Sequence, residues 1–540
     1  MENPSSDSSE SKSTDATHPG TKDASTKDAS TKGTGTQPTE AKGEPAKGRW
    51  KLGPLDLTPP DLSAFARRIT QLLDFSGGEH EDQDGASFQQ LRDFCREAYE
   101  KRGKLAGLLA IAKVADAYGR LDHEGRDAFF HMLKTEFAVE PTELEAAMAA
   151  YRDVTRGSAA AEIGQTDADQ AEIGQTDVKQ AGATVEQAKA LVRLNRALES
   201  PRHTLFKQFN TIPQGIKFLV DLRADLYPRL KQDPTLLPLE YELRRLLEAF
   251  FNLGFLHLSR IGWDSPAVLL ENLIRYEAVN RISNWDDLKH RLVSDRACFA
   301  FIHPAMPDEP VIFVEVALTR GMADSIQHLL DPEAPDLPPD QADTAIFYGI
   351  SNAQAGLSGI PFGNLLIKQV ATRLRGEVPN LRTFATLSPL PRFRRNFLEP
   401  AVADGSIAGF FQDKEAQALR EAAEAETVPE AVGKLLGIHN WFLRPRLADT
   451  LRPGLLRAVR HYLAHVRRDG HAACPVAHFH GSNGALLARV NWLADTSNHG
   501  LTQSAGLMVN YLYDMERFET HQEQYLLQGT LALSKAVQEL

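Results

Sequence analysis

The strongest constraint in this sequence is a change of hydrophobic period partway along the chain. From residue 87 to about 258 apolar residues recur at spacings of three and four, as in FQQLRDFCREAYEKRGKLAGLLAIAKVADAYG (87–118) and in LPLEYELRRLLEAFFNLGFLHL near 238–258. That is the period of helices with one buried face. Asp61 can cap a further helix, LSAFARRITQLLDF, and similar runs lie at 122–138, 184–200 and 214–231. From residue 298 the period shortens to that of strands. CFAFIHP (298–304) and VIFVEVALT (311–319), joined by the turn sequence AMPDEP, predict a hairpin. AIFYGIS (345–351), TFATLS (383–388), VAHFHG (476–481) and ALLARVNWLAD (485–495) predict more strands, with helices at 362–376 and 430–469. The expected fold is therefore α+β in two domains, all-α over 58–251 and α/β over 252–540, with a ligand site in the second.

The remaining sequence bounds the function. Residues 1–57 are polar and include the tandem TKDAS–TKDAS at 21–30, a composition that predicts a disordered tail. AEIGQTDADQ (161–170) is nearly repeated as AEIGQTDVKQ (171–180), within a low-complexity linker near 157–182. Two copies are too few for a solenoid. No stretch supplies the ~18 consecutive apolar residues of a spanning helix. A net charge of −12 argues against a nucleic-acid partner. Three widely spaced cysteines, Cys95, Cys298 and Cys474, exclude a disulfide framework and a Cys-rich zinc site, and they suit a reducing compartment. MENPSSDSSESKST has no apolar secretory core and AVQEL is not a peroxisomal address, so cytoplasm is the expected location.

Four segments of the C-terminal half can carry chemistry. In GLSGIPFGNLLIKQVATRL a strand meets a loop with Gly356, Gly359 and Gly363 and then a helix, a junction whose free N–H groups suit a phosphate. Ser358, Gly359, Ile360, Pro361, Phe362, Gly363 and Asn364 would form that cradle. The alternative is an ordinary strand-to-helix loop, because neither a Walker nor a dinucleotide motif is present. Ser388 in TLSPLPRF ends a β run, a place for a working hydroxyl, although a routine Ser-Pro turn is the simpler reading. In VAHFHGSNGA a strand would place His478 and His480 on one face with Asn483 in the turn beyond. His461 and His465 in HYLAH are one helical turn apart but lack the zincin glutamate, so no metal site is expected. A single acid/base histidine, titrating near neutral pH, fits better. Tyr511 and Tyr513 lie on an irregular apolar segment, where core filling is the simplest role.

Taken in order, HPAMPDEPVIFVEVAL, FYGISNAQAGLSGIPFGNLLIKQV, FATLSPLPRF, VAHFHGSNGALLARVNWLADTS and GLMVNYLYD resemble the malonyl-CoA decarboxylase family. The likeness strengthens at GIKFLVDLRADL (215–226) and runs to about 515. It implies an N-terminal helical domain, a C-terminal catalytic domain of acetyltransferase (GNAT-like) fold, and decarboxylation of malonyl-CoA to acetyl-CoA without metal or organic cofactor. It further implies a Ser388–His480 dyad, a supporting Tyr513, an acyl-CoA segment at Ser358–Asn364 with Asn483 beyond it, and a homotetramer built as a dimer of dimers. Animal members carry a glutamate in the loop where this sequence has Pro361, so no carboxylate role transfers there. The rival readings on the same fold are an acyl-CoA acyltransferase and a non-catalytic malonyl-CoA sensor.

Overall fold

The computed structural model describes residues 84–163, 173–360 and 366–540. The tail at 1–57, the helix expected from Asp61, residues 164–172 of the duplication and the loop residues 361–365 lie outside the described residues.

Eight α-helices fill the first part of the described chain: α1 (Asp84–Glu100), α2 (Leu105–Arg120), α3 (His123–Thr135), α4 (Pro141–Ile163), α5 (Ile173–Leu198), α6 (Pro201–Phe209), α7 (Gly215–Arg229) and α8 (Leu237–Phe250). Their starts follow local chemistry. Asp122 accepts the Gly125 N–H ahead of α3, and Ser200 accepts the His203 N–H ahead of α6, where Pro201 sits in the first turn. The run expected to be one helix at 87–118 is two, because Gly103 adopts a φ of +75° between α1 and α2. The run near 238–258 also ends early. Its last residues leave the helix at Phe250 and His257–Ile261 becomes strand β1, whose Leu258 pairs with Phe301. Pairing to a neighbour strand outweighs helical periodicity there.

Among the described residues one mixed sheet dominates the rest. It runs β1, β2 (Arg296–Ile302), β3 (Pro310–Thr319), β4 (Thr344–Asn352), β5 (Thr383–Thr386), β10 (Met508–Leu512), β9 (Leu486–Asn491) and β11 (Ala532–Leu533), and β6 (Ser388–Pro389) also pairs with β10. β7 (Arg467–Arg468) and β8 (His471–Ala472) form a separate ribbon. The expected hairpin is β2–β3, antiparallel with Phe299 opposite Val314. β4 and β5 are parallel, as their connection through helix α9 (Leu366–Glu377) requires. The second helical region resolves into Val428–Gly437 and a long helix α10 (Pro445–His465).

The fold is thus α+β, helical first and mixed sheet second. Buried apolar side chains from Leu91 in α1 to Val537 near the C-terminus form one continuous core, in which Leu219 and Leu222 of α7 join Phe347 of β4 and Phe384 of β5. Among the described residues no helix is long and apolar enough to cross a membrane.

Candidate active site

The site sits where β4 and β5 part. Their pairing ends at Phe347 opposite Thr386, with one further bond from Leu387 N–H to Phe347 O. Beyond that point β4 continues to Asn352, whereas Ser388 and Pro389 turn to pair with Val509 and Met508 of β10. A cavity of about 570 Å³ opens in the gap, lined by Ile350 and Asn352 of β4, Ser388, Gly359 and helix α11 (Pro475–Ser482).

The stretch 475–482 is a helix, not the strand expected from VAHFHG. Pro475 fits the first helical turn, and burial falls on Ala477, His480 and Gly481, a spacing of three to four. Gly481 is essential to this packing: an added Cβ would lie 2.7 Å from Leu531 and 2.8 Å from Tyr525. Helical geometry turns His478 and His480 roughly 200° apart, so they do not share a face. His478 Nδ1 meets the Tyr525 hydroxyl at 2.9 Å, and burial, then the neighbouring His471, lower its pKa.

His480 turns to the cavity floor, where its Nε2 is 3.0 Å from Ser388 Oγ and its Nδ1 is 2.7 Å from the Tyr513 hydroxyl. Strand periodicity explains the tyrosines: Tyr511 and Tyr513 both face the imidazole, and the segment is strand β10 and its end rather than irregular chain. Tyr511 stacks on the His480 ring at 4.3 Å and 24°. Its role is the packing expected of it. Tyr513 is only 3% exposed, and burial holds its phenol well above the usual value of 10, so it keeps its proton. Burial alone pushes the His480 pKa down from 6.5 to about 3. Burial thus favours the neutral imidazole in the folded site, below the near-neutral titration expected from the sequence.

The tautomer follows from counting protons. Among the described residues the Tyr513 hydroxyl has no hydrogen-bond partner but His480 Nδ1. A buried phenol that accepted there would leave its own O–H without an acceptor, so Tyr513 donates and Nδ1 accepts. The ring proton is then on Nε2, directed at Ser388. This is the reverse of a Ser-His-Asp triad, where the carboxylate accepts from Nδ1 and frees Nε2 to act as a base.

The glycine loop is anchored from the helical part. Arg223 of α7, 1% exposed, pairs with Glu240 of α8 at 2.7 Å and donates from Nη1 to the carbonyls of Gly356 (2.6 Å) and Ser358 (2.9 Å). Gly356 lies so close to α7 that a Cβ would fall 1.7 Å from Val220 O. Gly359, at φ +75°, meets none of the described residues where a side chain would go, and it lines the cavity with Ile360. Pro361, Phe362, Gly363 and Asn364 lie outside the described residues. Asn483 caps α11, donating from Nδ2 to Phe479 O at 2.7 Å, and lines the cavity as well.

Gly359, Ile360, Ser388, His480 and Asn483 therefore line one cavity, with Tyr513 bonded to His480 behind it and Ser358 next to Gly359 in the loop. His461 and His465 do not join them: their rings pack together and His461 lies against Phe397 and Phe410. Among the described residues no group of three or more His, Cys, Asp or Glu side chains is placed to hold a metal ion. Two residues escaped the sequence reading. Thr386 Oγ1 is 2.8 Å from Ser388 Oγ, and the signal was its position two residues earlier on the same strand face. Arg223 was visible only as a charge on an otherwise apolar helical stripe.

Comparison with known proteins bears on the family and the fold. Residues 254–540 match the malonyl-CoA decarboxylase C-terminal domain model, and residues 167–251 match its N-terminal domain model. The mitochondrial malonyl-CoA decarboxylase of Anser anser anser is 37% identical over 338 residues, covering 61% of this chain and 67% of that protein. That of Rattus norvegicus is 35% identical over 358 residues, covering 64% and 72%. Crystal structures of malonyl-CoA decarboxylase from Rhodopseudomonas palustris (TM-score 0.70, 36% identity, covering 84% of this chain and 99% of that one) and Agrobacterium vitis (0.69, 35%, 83% and 98%) share the fold. The chain belongs to the malonyl-CoA decarboxylase family, whose members are carboxy-lyases.

Proposed function

We propose that this chain converts malonyl-CoA to acetyl-CoA and CO2, with Ser388 holding the malonyl carboxylate and His480 protonating the thioester enolate. The observation that carries the assignment is the Tyr513 hydroxyl on His480 Nδ1, which leaves Nε2 with a proton to give. Loss of CO2 leaves its bonding pair on the α-carbon as an enolate. Orienting the carboxylate with one neutral hydroxyl avoids the ground-state stabilisation that an ion pair would bring. As the Nε2 proton moves to carbon, the Tyr513 proton shifts toward Nδ1, and the negative charge spreads along the chain. A proton from solvent restores the site, so each turnover consumes one. The scheme uses no metal or organic cofactor.

Burial supports it, because a proton-transfer chain works against weak competition from water in such a site. Gly359 and Ile360, with Pro361, Phe362, Gly363 and Asn364 following, are assigned to the acyl-CoA, Ser358 contributing through the carbonyl that fixes the loop. Asn483, its amide N–H committed to Phe479, offers an acceptor for an N–H of the CoA arm. The parallel β4–β5 pair, joined through a helix and open at one end, supports the acetyltransferase-like reading. Exposed Met148 of α4 and Val185, Leu191, Val192 and Leu198 of α5 favour self-association, in line with a homotetramer. Three buried free cysteines suit the cytoplasm; the mitochondrial location in the names of the goose and rat proteins is the competing one.

The test is turnover of malonyl-CoA by the purified full chain, following acetyl-CoA and CO2, with a chelator in a parallel sample. Equal amounts of the two products are expected, unaffected by the chelator. Ser388→Ala and His480→Asn should still bind acetyl-CoA, with the histidine variant slower by ~10²–10⁴-fold. Near-normal turnover by His480→Asn would sink the acid assignment. Tight binding without products in the unaltered chain would favour the sensor.

A further inference from the structure

Thr386 belongs to no assigned role, yet it touches the reacting group. It is 0% exposed on β5, and its Oγ1 lies 2.8 Å from Ser388 Oγ and 3.2 Å from the Tyr511 N–H. Its backbone carbonyl accepts from Asn510 Nδ2 at 2.7 Å, so its position is fixed on both sides.

A hydroxyl has one proton and two acceptor positions, and a bond between two hydroxyls can run either way. Suppose Ser388 donates to Thr386. The Tyr511 N–H fills one acceptor position of Thr386 and Ser388 fills the other, and among the described residues the Thr386 proton is left with no acceptor. Suppose instead that Thr386 donates to Ser388. Every proton along this chain of groups then has an acceptor: Tyr513 O–H on Nδ1, Nε2–H on Ser388 Oγ, Thr386 O–H on the same oxygen, and Tyr511 N–H on Thr386. Both acceptor positions of Ser388 are occupied by protein donors, and its own O–H has one direction left, toward the cavity that Ser388 lines.

We infer that Thr386 is a positioning residue that sets the polarity of the Ser388 hydroxyl, turning it into a fixed donor for the malonyl carboxylate. Without it, one acceptor position of Ser388 stands empty, its O–H is free to rotate, and it meets the carboxylate with no preferred orientation. The inference rests on the assignment of Ser388 to that carboxylate, and it adds a specificity consequence. The aimed donor serves a ligand that bears the carboxylate and is indifferent to one that lacks it.

Thr386→Val keeps the shape and removes the hydroxyl; Thr386→Ser keeps the hydroxyl. In Thr386→Val, kcat/KM for malonyl-CoA should fall by about tenfold, the scale of one hydrogen bond. Binding of acetyl-CoA should be unchanged, and Thr386→Ser should restore turnover. The double variant Thr386→Val with Ser388→Ala should be no slower than Ser388→Ala alone, because Thr386 acts only through Ser388. Should the valine variant fail to fold, Thr386→Ala supports the same comparisons. Wild-type kcat/KM in the hydroxyl-free variant beside an impaired Ser388→Ala would overturn the role of Thr386 and leave the serine assignment standing. So would equal losses for malonyl-CoA and acetyl-CoA, which mark general damage. Normal turnover by Ser388→Ala would remove the serine assignment itself, and the role of Thr386 with it.

Discussion

His480 shows how one side chain is specified by its surroundings. The imidazole is sandwiched between the Tyr511 ring and the cavity, with a phenol on one nitrogen and a serine on the other. No carboxylate is among the groups that shift its pKa; burial is the cause, and it favours the neutral ring. The effect reaches stability with a definite sign. Unfolded, the histidine titrates near 6.5; folded, it titrates at about 3, so below 6.5 the unfolded chain binds the extra proton. The contribution of this group is therefore complete above 6.5 and is lost progressively as pH falls toward 3. We expect the urea midpoint of the native protein to drop more between about pH 7.5 and about pH 5 than that of His480→Asn. Parallel losses in the two proteins would show that the imidazole is not held neutral by the fold. The histidine was legible in HFHGSNG, but its protonation state was not, because a pKa depends on neighbours 33 and 92 residues away.

Among the elements, the loop after β4 is the one whose form depends most on contacts distant in sequence. Its glycines do different work. Gly356 is a contact glycine, pressed against the backbone of α7, while Gly359 is a conformational one, in the left-handed region with none of the described residues where its side chain would go. Gly359→Ala should cost about 1–2 kcal/mol, the strain of a side chain at positive φ. Gly356→Ala should cost at least about 3 kcal/mol, because backbone atoms must move. It should also raise KM for malonyl-CoA far more, since the loop leaves its anchor at Arg223. Thermal unfolding and steady-state kinetics on the pair decide this, and similar behaviour of the two would contradict it. Spacing allowed a cradle or an ordinary strand-to-helix loop here and did not separate the roles of the glycines. The same limit applies to α11, where alternation of His478 and His480 imitates a strand, and only Pro475 and the close approach of Gly481 to Tyr525 make it a helix.

Across the whole molecule, the helical part and the sheet are joined by a shared core and by Arg223, whose guanidinium bridges Glu240 and the loop carbonyls. Removing one member of such a buried pair typically costs ~3–5 kcal/mol. Two regions coupled this way should unfold together, and calorimetry of the full chain should give one transition rather than two. A resolved pair of transitions would mean that the sheet is stable without its helical support. By itself, the sequence determined what depends on neighbours along the chain. That includes the helical period of the first part, the β2–β3 hairpin, the polar low-complexity segments, and the family to which its ordered blocks belong. Tertiary structure alone decided where β4 and β5 separate, which helix holds the glycine loop, and which hydroxyls meet the two nitrogens of His480. The physical reason is range. Helix period and turn chemistry act over three or four residues, whereas a cavity, a buried pKa and the direction of a hydroxyl are set by groups that meet only after the chain has folded.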